Sequence, residues 1–325
     1  MKICFLDASI IPYTSADVNS EKLRGAENAI INLSSEFAKL GNKVYVYNSC
    51  LNNITLNNVH WINLNNINKD IVYDYAFTNN DMRLFNRVKA KHFFAFSHSI
   101  QSIEKFIRKR QLISYLKFKP KLILLGKYHN QTRNFLLKIF GKIDIQWAVD
   151  PIFINTKIND NLIENIGIFT SREDRNLNIL IDIWKNKIFP KNNNIKLLAT
   201  PSKLIDNNFN IFARNFGPKK LLINDLLKSK VALIPGHKSE LFCIAAEEAR
   251  ELCVPIITLG IGSLSERVNH GITGLIAKNI NEFAQYTIDI FQDQKLWITL
   301  RNNLIKKRAS KQWDIVAKDL INKIL

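Results

Sequence analysis

Two glutamates, Glu240 and Glu248, stand eight residues apart in "KSELFCIAAEEARELCVPIITLGIGSLSE", just after the apolar run "VALIP". If Glu240 precedes a helix and Glu248 lies a turn or two inside it, their side chains point roughly 80° apart and differ by about 12 Å in rise. That span is close to the distance from ribose to sugar in a nucleotide-diphosphate sugar. A carboxylate at each end would accept hydrogen bonds from hydroxyls. Between them the first N–H groups of a helix, those of Phe242, Cys243 and Ile244, can meet a pyrophosphate. Gly260 and Gly262 allow a second close backbone approach. Arg172 and Arg175 follow the strand-like "IGIFTS", where a pair of guanidinium groups could hold a phosphate. His98 ends another strand-like run in "AFSHS", and His129 sits in "GKYHNQTR". Glu247 and Glu251 read as solvated positions on the same helix as Glu248.

The elements that must position these groups alternate. Strand-like runs include "KICFLDA", "KVYVYNS", "IVYDYAF", "HFFAFS", "LILLG", "IGIFTS", "KLLAT", "VALIP", "PIITLG" and "GLIA". Helical patterns such as "AENAIINLSSEFAKLG" and "LNILIDIWKNKIF" lie between several of them; Ile30, Leu33, Phe37 and Leu40 share one helix face, and Gly41 closes it. Such alternation predicts an α/β protein with parallel sheets. There are too many strands for one doubly wound sheet. The break falls near "WAVDPIFINTKINDNLIEN", predicting an N-terminal domain over 1–150 and a C-terminal domain over 151–325. The last helix could return to the N-terminal domain. The Asn-rich stretches, Asn52 to Asn68 and Asn192 to Asn194, read as loops.

Composition narrows the class. The chain has 325 residues, enough for two domains, and no apolar run long enough for a membrane span. Its opening run meets Asp7 early and reads as a strand, not a secretory signal. The four cysteines form no CxxC pair or zinc spacing, which suits a reduced, cytoplasmic setting. Net charge is +18, and Arg83 to Lys142 carries fifteen basic residues against one acid, Glu104. Within it, "SIEKFIRKRQLISYLKFKPKL" mixes apolar and basic residues at near-helical spacing, as an interfacial helix on an anionic membrane does. The segment has no helix-turn-helix, zinc or RNA-stacking signature, so no nucleic-acid partner is expected.

Familiar nucleotide motifs are missing. No G-x-G-x-x-G follows the first strand, and "GIGSLS" is late and incomplete. There is no Walker lysine motif and no Asp-x-Asp, the usual metal clamp on a sugar nucleotide. The expectation is a site without metal or cofactor.

The stretch "SELFCIAAEEARELCVPIITLGIGSLSERVNHGITGLI" resembles the donor site of the family 4 glycosyltransferases, whose motif Glu240, Glu248, Ala249, Val254, Pro255, Gly262, Leu264 and Glu266 match in order. Upstream, "RGAENAIINLSSEFAKLGNKVYVY" is similar to the family's N-terminal glycine loop, helix and strand. "WAVDPIFI" resembles its interdomain segment, and "IFTSREDRNLNILIDIW" its basic phosphate segment. The chain departs from the pattern at Arg24, Asn176, Leu241 and Cys243, where the family has glycine.

The resemblance implies the GT-B fold, two Rossmann-like domains with parallel sheets facing across a cleft. It also implies a retaining transfer from a UDP- or GDP-linked sugar to a lipid-linked or saccharide acceptor, in cell-envelope glycan or glycolipid synthesis. On that pattern Glu240 orients the transferred sugar and Glu248 fixes the ribose. Arg172 and Arg175 neutralise the leaving phosphate, His98 stands near the donor sugar, and Gly25 of the N-terminal loop binds the donor together with Phe242, Cys243, Ile244, Glu248 and Gly262. The basic N-terminal segment would hold the protein peripherally on the inner face of the cytoplasmic membrane. A GT-B epimerase acting on the nucleotide sugar itself is the chemical alternative, and a nucleic-acid-binding protein on the same scaffold the non-enzymatic one.

Overall fold

In the computed structural model the described residues are 1–18, 23, 25–159 and 163–325. They divide into two compact units, one formed by Met1–Ala148 with Gln312–Leu325 and the other by Val149–Lys311. Arg24, the departure in the N-terminal loop, lies outside the described residues.

The first unit is built on eight strands: β1 (Lys2–Leu6), β2 (Lys43–Asn48), β3 (Ile54–Leu56), β4 (Val59–Asn63), β5 (Val72–Asn79), β6 (Lys89–Phe96), β7 (Lys121–Leu124) and β8 (Lys142–Asp144). Their order is β3-β4-β2-β1-β5-β6-β7-β8, parallel except for the β3–β4 pair. Helix α1 (Gly25–Lys39) follows β1 and lays Ile30, Leu33 and Phe37 on the sheet, where Phe37 meets Phe5 and Phe77. Gly41 closes it with φ +81, a conformation that favours glycine. The Asn-rich stretch after β2 is not a loop. It contains β3 and β4, and Trp61 of β4 is fully buried.

The basic segment does not form one interfacial helix. It breaks into α2 (Ile103–Arg108) and α3 (Leu112–Phe118), because Arg110 turns left-handed at φ +53 between them. Phe106 and Tyr115 pack edge to face beneath the break, which anchors both helices to the core. A short α4 (Lys127–Gln131) precedes β8.

The second unit opens with α5 (Pro151–Asn155), capped by Asp150. Then come β9 (Glu164–Phe169), α6 (Leu177–Ile183), β10 (Lys196–Ala199), β11 (Ile211–Ala213) and α7 (Lys219–Lys228). β12 (Ser229–Leu233), α8 (Ile244–Glu251), β13 (Ile256–Thr258), β14 (Gly274–Ile276), α9 (Ile280–Gln292) and α10 (Gln294–Lys306) complete it. The last helix, α11 (Trp313–Ile324), belongs to the first unit and packs beside α1. The second sheet is all parallel, ordered β11-β10-β9-β12-β13-β14. Its strands are short, and β12 and β13 are buried throughout, as in sheets covered on both faces. One apolar cluster, around Trp184, Leu197 and Phe283, fills one side, and a second, around Phe153, Ala249 and Val254, fills the other.

Candidate functional site

In chain order the second sheet runs third, second, first, fourth, fifth, sixth strand. Connections therefore reverse direction between β9 and β12, and the loops leaving their carboxyl ends part to leave a crevice. The loop after β9 carries Arg172 and Arg175. The loop after β12 carries Glu240 and leads into α8. Strand order alone thus brings two of the sequence's motifs together.

The contact between them is direct. Arg175 Nε lies 3.5 Å from Glu240 Oε2, and Arg175 Nη1 stands 3.3 Å from His237 Nδ1. Asn176 donates its side-chain N–H to the carbonyl of Gly236. Burial pushes the Glu240 carboxyl above its ordinary range, against the pull of Arg175 and of the Cys243 N–H. Arg172 is more exposed and pairs with Asp174 at 2.8 Å on its own loop. His237 and Gly236 were not singled out in the sequence, where the only signal was their place directly after the apolar run, and Asn176 stood out only as a departure from a glycine pattern.

Two of the glycine departures keep the glycine-like backbone. Asn176 has φ +66 and Cys243 φ +60. Asparagine tolerates the left-handed region better than most residues, while cysteine there costs on the order of 1 kcal/mol. Cys243 caps α8 and its side chain is buried in the core below. Gly262 cannot be replaced so easily. Its φ is +74, and a Cβ would lie 2.4 Å from the His237 carbonyl oxygen and 2.9 Å from that of Glu240. The Ser263 N–H also bonds the Glu240 carbonyl at 2.9 Å, so the turn at Gly262 fixes the loop that carries Glu240.

The start of α8 differs in one respect from a row of open donors. The Cys243 N–H is drawn to the Glu240 carboxylate. Phe242 is buried, with the Arg267 guanidinium 4.4 Å from its ring centre. Ile244 begins the helix and is exposed.

Glu248 lies one turn into α8 and is partly accessible. Burial pushes its carboxyl up to about 7; Lys219 and Arg214 pull it down, and Asp150 pushes it further up. Lys219 is itself bonded to Asp150, and Arg214 to Asp225 at 3.0 Å.

Glu247 and Glu251 are not solvated. Both are buried, Glu247 at 1% exposure and Glu251 at 0%. Glu247 accepts from Arg250 at 2.7 Å, Lys311 at 2.8 Å and Arg267 at 3.1 Å. Glu251 takes Arg250 and the Ala309 N–H. They are structural anchors that tie α8 to the segment after α10. Burial raises the Glu247 carboxyl, but Lys311, Arg250 and Arg267 together hold it below its ordinary value.

The remaining candidates belong to the first unit. Gly25 opens α1, and a Cβ there would meet nothing within 4 Å, so its backbone does not demand glycine. His98 stacks near Trp147 at 4.8 Å between ring centres, and its N–H bonds Asn80 Oδ1 at 2.9 Å. Burial, with His129 and Lys105 adding, pushes its imidazole down to about 3, so it is neutral at physiological pH. His129 is a core residue. Its Nδ1 accepts from the Leu125 N–H and its Nε2 meets Ser97 Oγ at 3.2 Å.

Among the described residues no cluster of three or more His, Cys, Asp or Glu could hold a metal ion, and no helix is long and apolar enough to cross a membrane.

Residues 155–311 match the family described as "Glycosyl transferases group 1". Three solved structures share the fold over nearly their whole length. Sucrose-phosphate synthase from Thermosynechococcus elongatus aligns with a TM-score of 0.69 and 13% identity, covering 99% of this chain and 98% of that one. Anabaena HepE, solved with UDP and glucose, aligns at 0.70 and 14%, covering 100% and 99%. WaaG, a glycosyltransferase involved in lipopolysaccharide biosynthesis, aligns at 0.67 and 11%, covering 99% of each. No curated protein matches the sequence. With its two parallel-sheet units, the chain has the GT-B fold, and its residues 155–311 match the model of the group 1 glycosyl transferases.

Proposed function

We propose that the protein is a retaining, metal-independent glycosyltransferase of family 4. It would move a sugar from a UDP- or GDP-linked donor to a lipid-linked or saccharide acceptor in cell-envelope glycan or glycolipid synthesis. The observation that carries this reading is the Arg175–Glu240 contact at the β9–β12 switch point, beside the start of α8. Donor complexes of a similar fold, HepE with UDP-glucose among them, support a nucleotide-sugar ligand.

On this reading the residues act mainly by position and charge. Glu248 accepts the ribose hydroxyls and Glu240 accepts those of the sugar. Arg175 and Arg172, with the N-terminal end of α8, face the diphosphate, whose negative charge grows as the glycosidic bond breaks. The acceptor hydroxyl approaches from the side of the leaving group, and the departing phosphate oxygen takes its proton. Two arginines occupy the role that a metal clamp on Asp-x-Asp fills elsewhere, and the sequence has no Asp-x-Asp. The basic N-terminal segment supports work at the cytoplasmic face of a membrane.

The test is calorimetry of the full chain with a panel of UDP- and GDP-sugars, then donor hydrolysis with and without a metal chelator. Binding of one donor, and turnover that survives chelation, is the expected result. If no nucleotide sugar binds, the reading fails. If chelation abolishes turnover and magnesium or manganese restores it, the metal-free mechanism fails.

A further inference from the structure

The first sheet has a switch point of its own. β2 lies on one side of β1 and β5 on the other, so the loops after β1 and β5 diverge. A cavity of about 860 Å³ opens there, within the first unit. Its floor is acidic and buried, with Asp7 at 3% and Glu27 at 5% exposure. Asp7 is fully engaged: it accepts from the Tyr13 hydroxyl at 2.6 Å, from Asn79 at 3.2 Å and from the Ser9 N–H at 3.2 Å. Glu27 is not. Its Oε1 takes the Ser9 hydroxyl at 2.9 Å, but its Oε2 is buried without a partner among the described residues. A buried carboxylate oxygen left so is costly, and a rotation of the Glu27 side chain toward the cavity would let a ligand hydroxyl relieve it.

The rim of the same cavity is basic. Arg108, Lys109 and Arg110 line it from the turn between α2 and α3. Backbone bonds from Arg110 to Ile107 and from Gln111 to Phe106, both 2.8 Å, hold that turn. None of the three side chains makes an ion pair among the described residues.

A second cavity, of about 490 Å³, shares Ile11 with the first. It is mainly apolar, walled by Pro12, Leu51, Ile54 and Leu56. Leu51 is 83% exposed, and Ile10, beside the shared wall, is 94% exposed. Large aliphatic side chains exposed together at the mouth of an apolar cavity mark a contact surface.

We propose that the two cavities hold one lipid, with its hydroxylated, phosphate-bearing head in the first and its hydrocarbon chain in the second, and that this lipid is the acceptor. Charge supports the assignment, since three cations without an ion pair among the described residues line the rim where the phosphate would sit, and Glu27 at the floor can accept from a hydroxyl. The inference rests on the glycosyltransferase reading and names its acceptor. In the transfer, a head hydroxyl oxygen bonds to the donor's anomeric carbon as that carbon's bond to the diphosphate breaks. The hydroxyl proton leaves with the nucleoside diphosphate. Glu27 is a positioning residue for the head.

The experiment is calorimetry of the full chain with dihexanoylphosphatidylglycerol kept below its micelle concentration. Glycerol 3-phosphate supplies the head without the chain, and dihexanoylphosphatidylcholine the chain without the hydroxylated head. The phosphatidylglycerol should bind about tenfold more tightly than either control. Glu27→Gln, and separately the joint replacement of Arg108, Lys109 and Arg110 by Ala, should each weaken it about tenfold. Leu51→Asp should weaken the lipid but leave glycerol 3-phosphate unchanged. Equal binding of glycerol 3-phosphate and lipid overturns the proposal, as does undiminished lipid binding in the Glu27 or triple variant. UDP and GDP titrated in parallel serve as a folding control for each variant. If neither nucleotide binds the wild type, it is the glycosyltransferase reading that falls; if one binds and the lipid does not, only the lipid assignment falls.

Discussion

Arg175 Nε stands 3.5 Å from Glu240 Oε2, joining the loop after β9 to the loop after β12 across the switch point of the second sheet. A guanidinium so placed acts on two partners. It lowers the cost of keeping Glu240 ionised, and on the proposed function its remaining N–H groups would meet a phosphate. Arg172 lacks this support, being exposed and paired with Asp174. Arg175→Ala should therefore cut turnover roughly 100-fold, since leaving-group charge is largest in the transition state. Donor affinity should fall far less, and Arg172→Ala should do less harm to turnover. Steady-state kinetics on both variants decides it; equal losses from the two would mean that the Glu240 contact has no part in turnover.

Glu248 gives a pH signature with two readouts. Burial raises its carboxyl from 4.5 to about 7. If Glu248 accepts from the ribose, as proposed, it works best as the charged form, so donor affinity should rise as pH passes through 7. Stability moves the other way. Between pH 4.5 and 7 the folded chain holds this proton more firmly than the unfolded chain, so stability falls across that window by about 3 kcal/mol. Glu248→Gln should remove that loss and melt above the wild type at pH 8, while matching it at pH 4. It should also bind donor more weakly at pH 8, by about 1.5–3 kcal/mol for the lost charged hydrogen bond. Parallel melting profiles for the two proteins would rule the titration out.

Glu247, its neighbour on α8, should behave oppositely. Its Ala variant strands Arg250, Arg267 and Lys311 without their shared acceptor, which should cost about 3–5 kcal/mol in urea unfolding. Because these cations hold its carboxyl below the ordinary value, its stabilisation is complete above about pH 4.5 and lost as pH falls through the lowered value. A Glu247→Ala protein that unfolds like wild type but loses donor binding would make it a ligand residue instead.

The contrast between Glu247 and Glu248 also marks how far sequence could be read. The spacing of Glu240 and Glu248 is a local pattern, and α8 delivers it. The partners of Glu247 and Glu251 lie far along the chain, on Arg267, Lys311 and Ala309, so no local pattern could show that two acids among helix residues were buried. Strands followed the same rule. Long apolar runs such as those of β1, β2, β6 and β12 were legible. The three-residue β3, β8 and β11 were not read, although the equally short β13 and β14 were, and β4 hides in an Asn-rich stretch where Val59 and Trp61 alternate with His60 and Ile62. Asn176 and Cys243 looked like departures from a glycine pattern, yet their backbones keep the left-handed turn. The residue type changed and the conformation did not.

The basic segment carries a prediction about location. Its two short helices leave Ile107, Ile113 and Leu116 exposed, and the turn Phe135–Lys138 with Ile139 adds Phe135, Leu136 and Ile139. The segment from Arg83 to Lys142 that carries these groups holds fifteen basic residues and one acid. Each basic residue near an anionic bilayer contributes on the order of 1 kcal/mol, and the attraction is screened within about 8 Å at physiological salt. The protein should therefore sediment with phosphatidylglycerol vesicles and not with phosphatidylcholine vesicles, and rising salt should release it. Phe135→Ser combined with Ile113→Ser should weaken vesicle binding while leaving monomeric short-chain lipid binding intact, because neither residue lines the two cavities. Vesicle binding that ignores salt, or survives the double substitution, would mean that this face does not meet the bilayer.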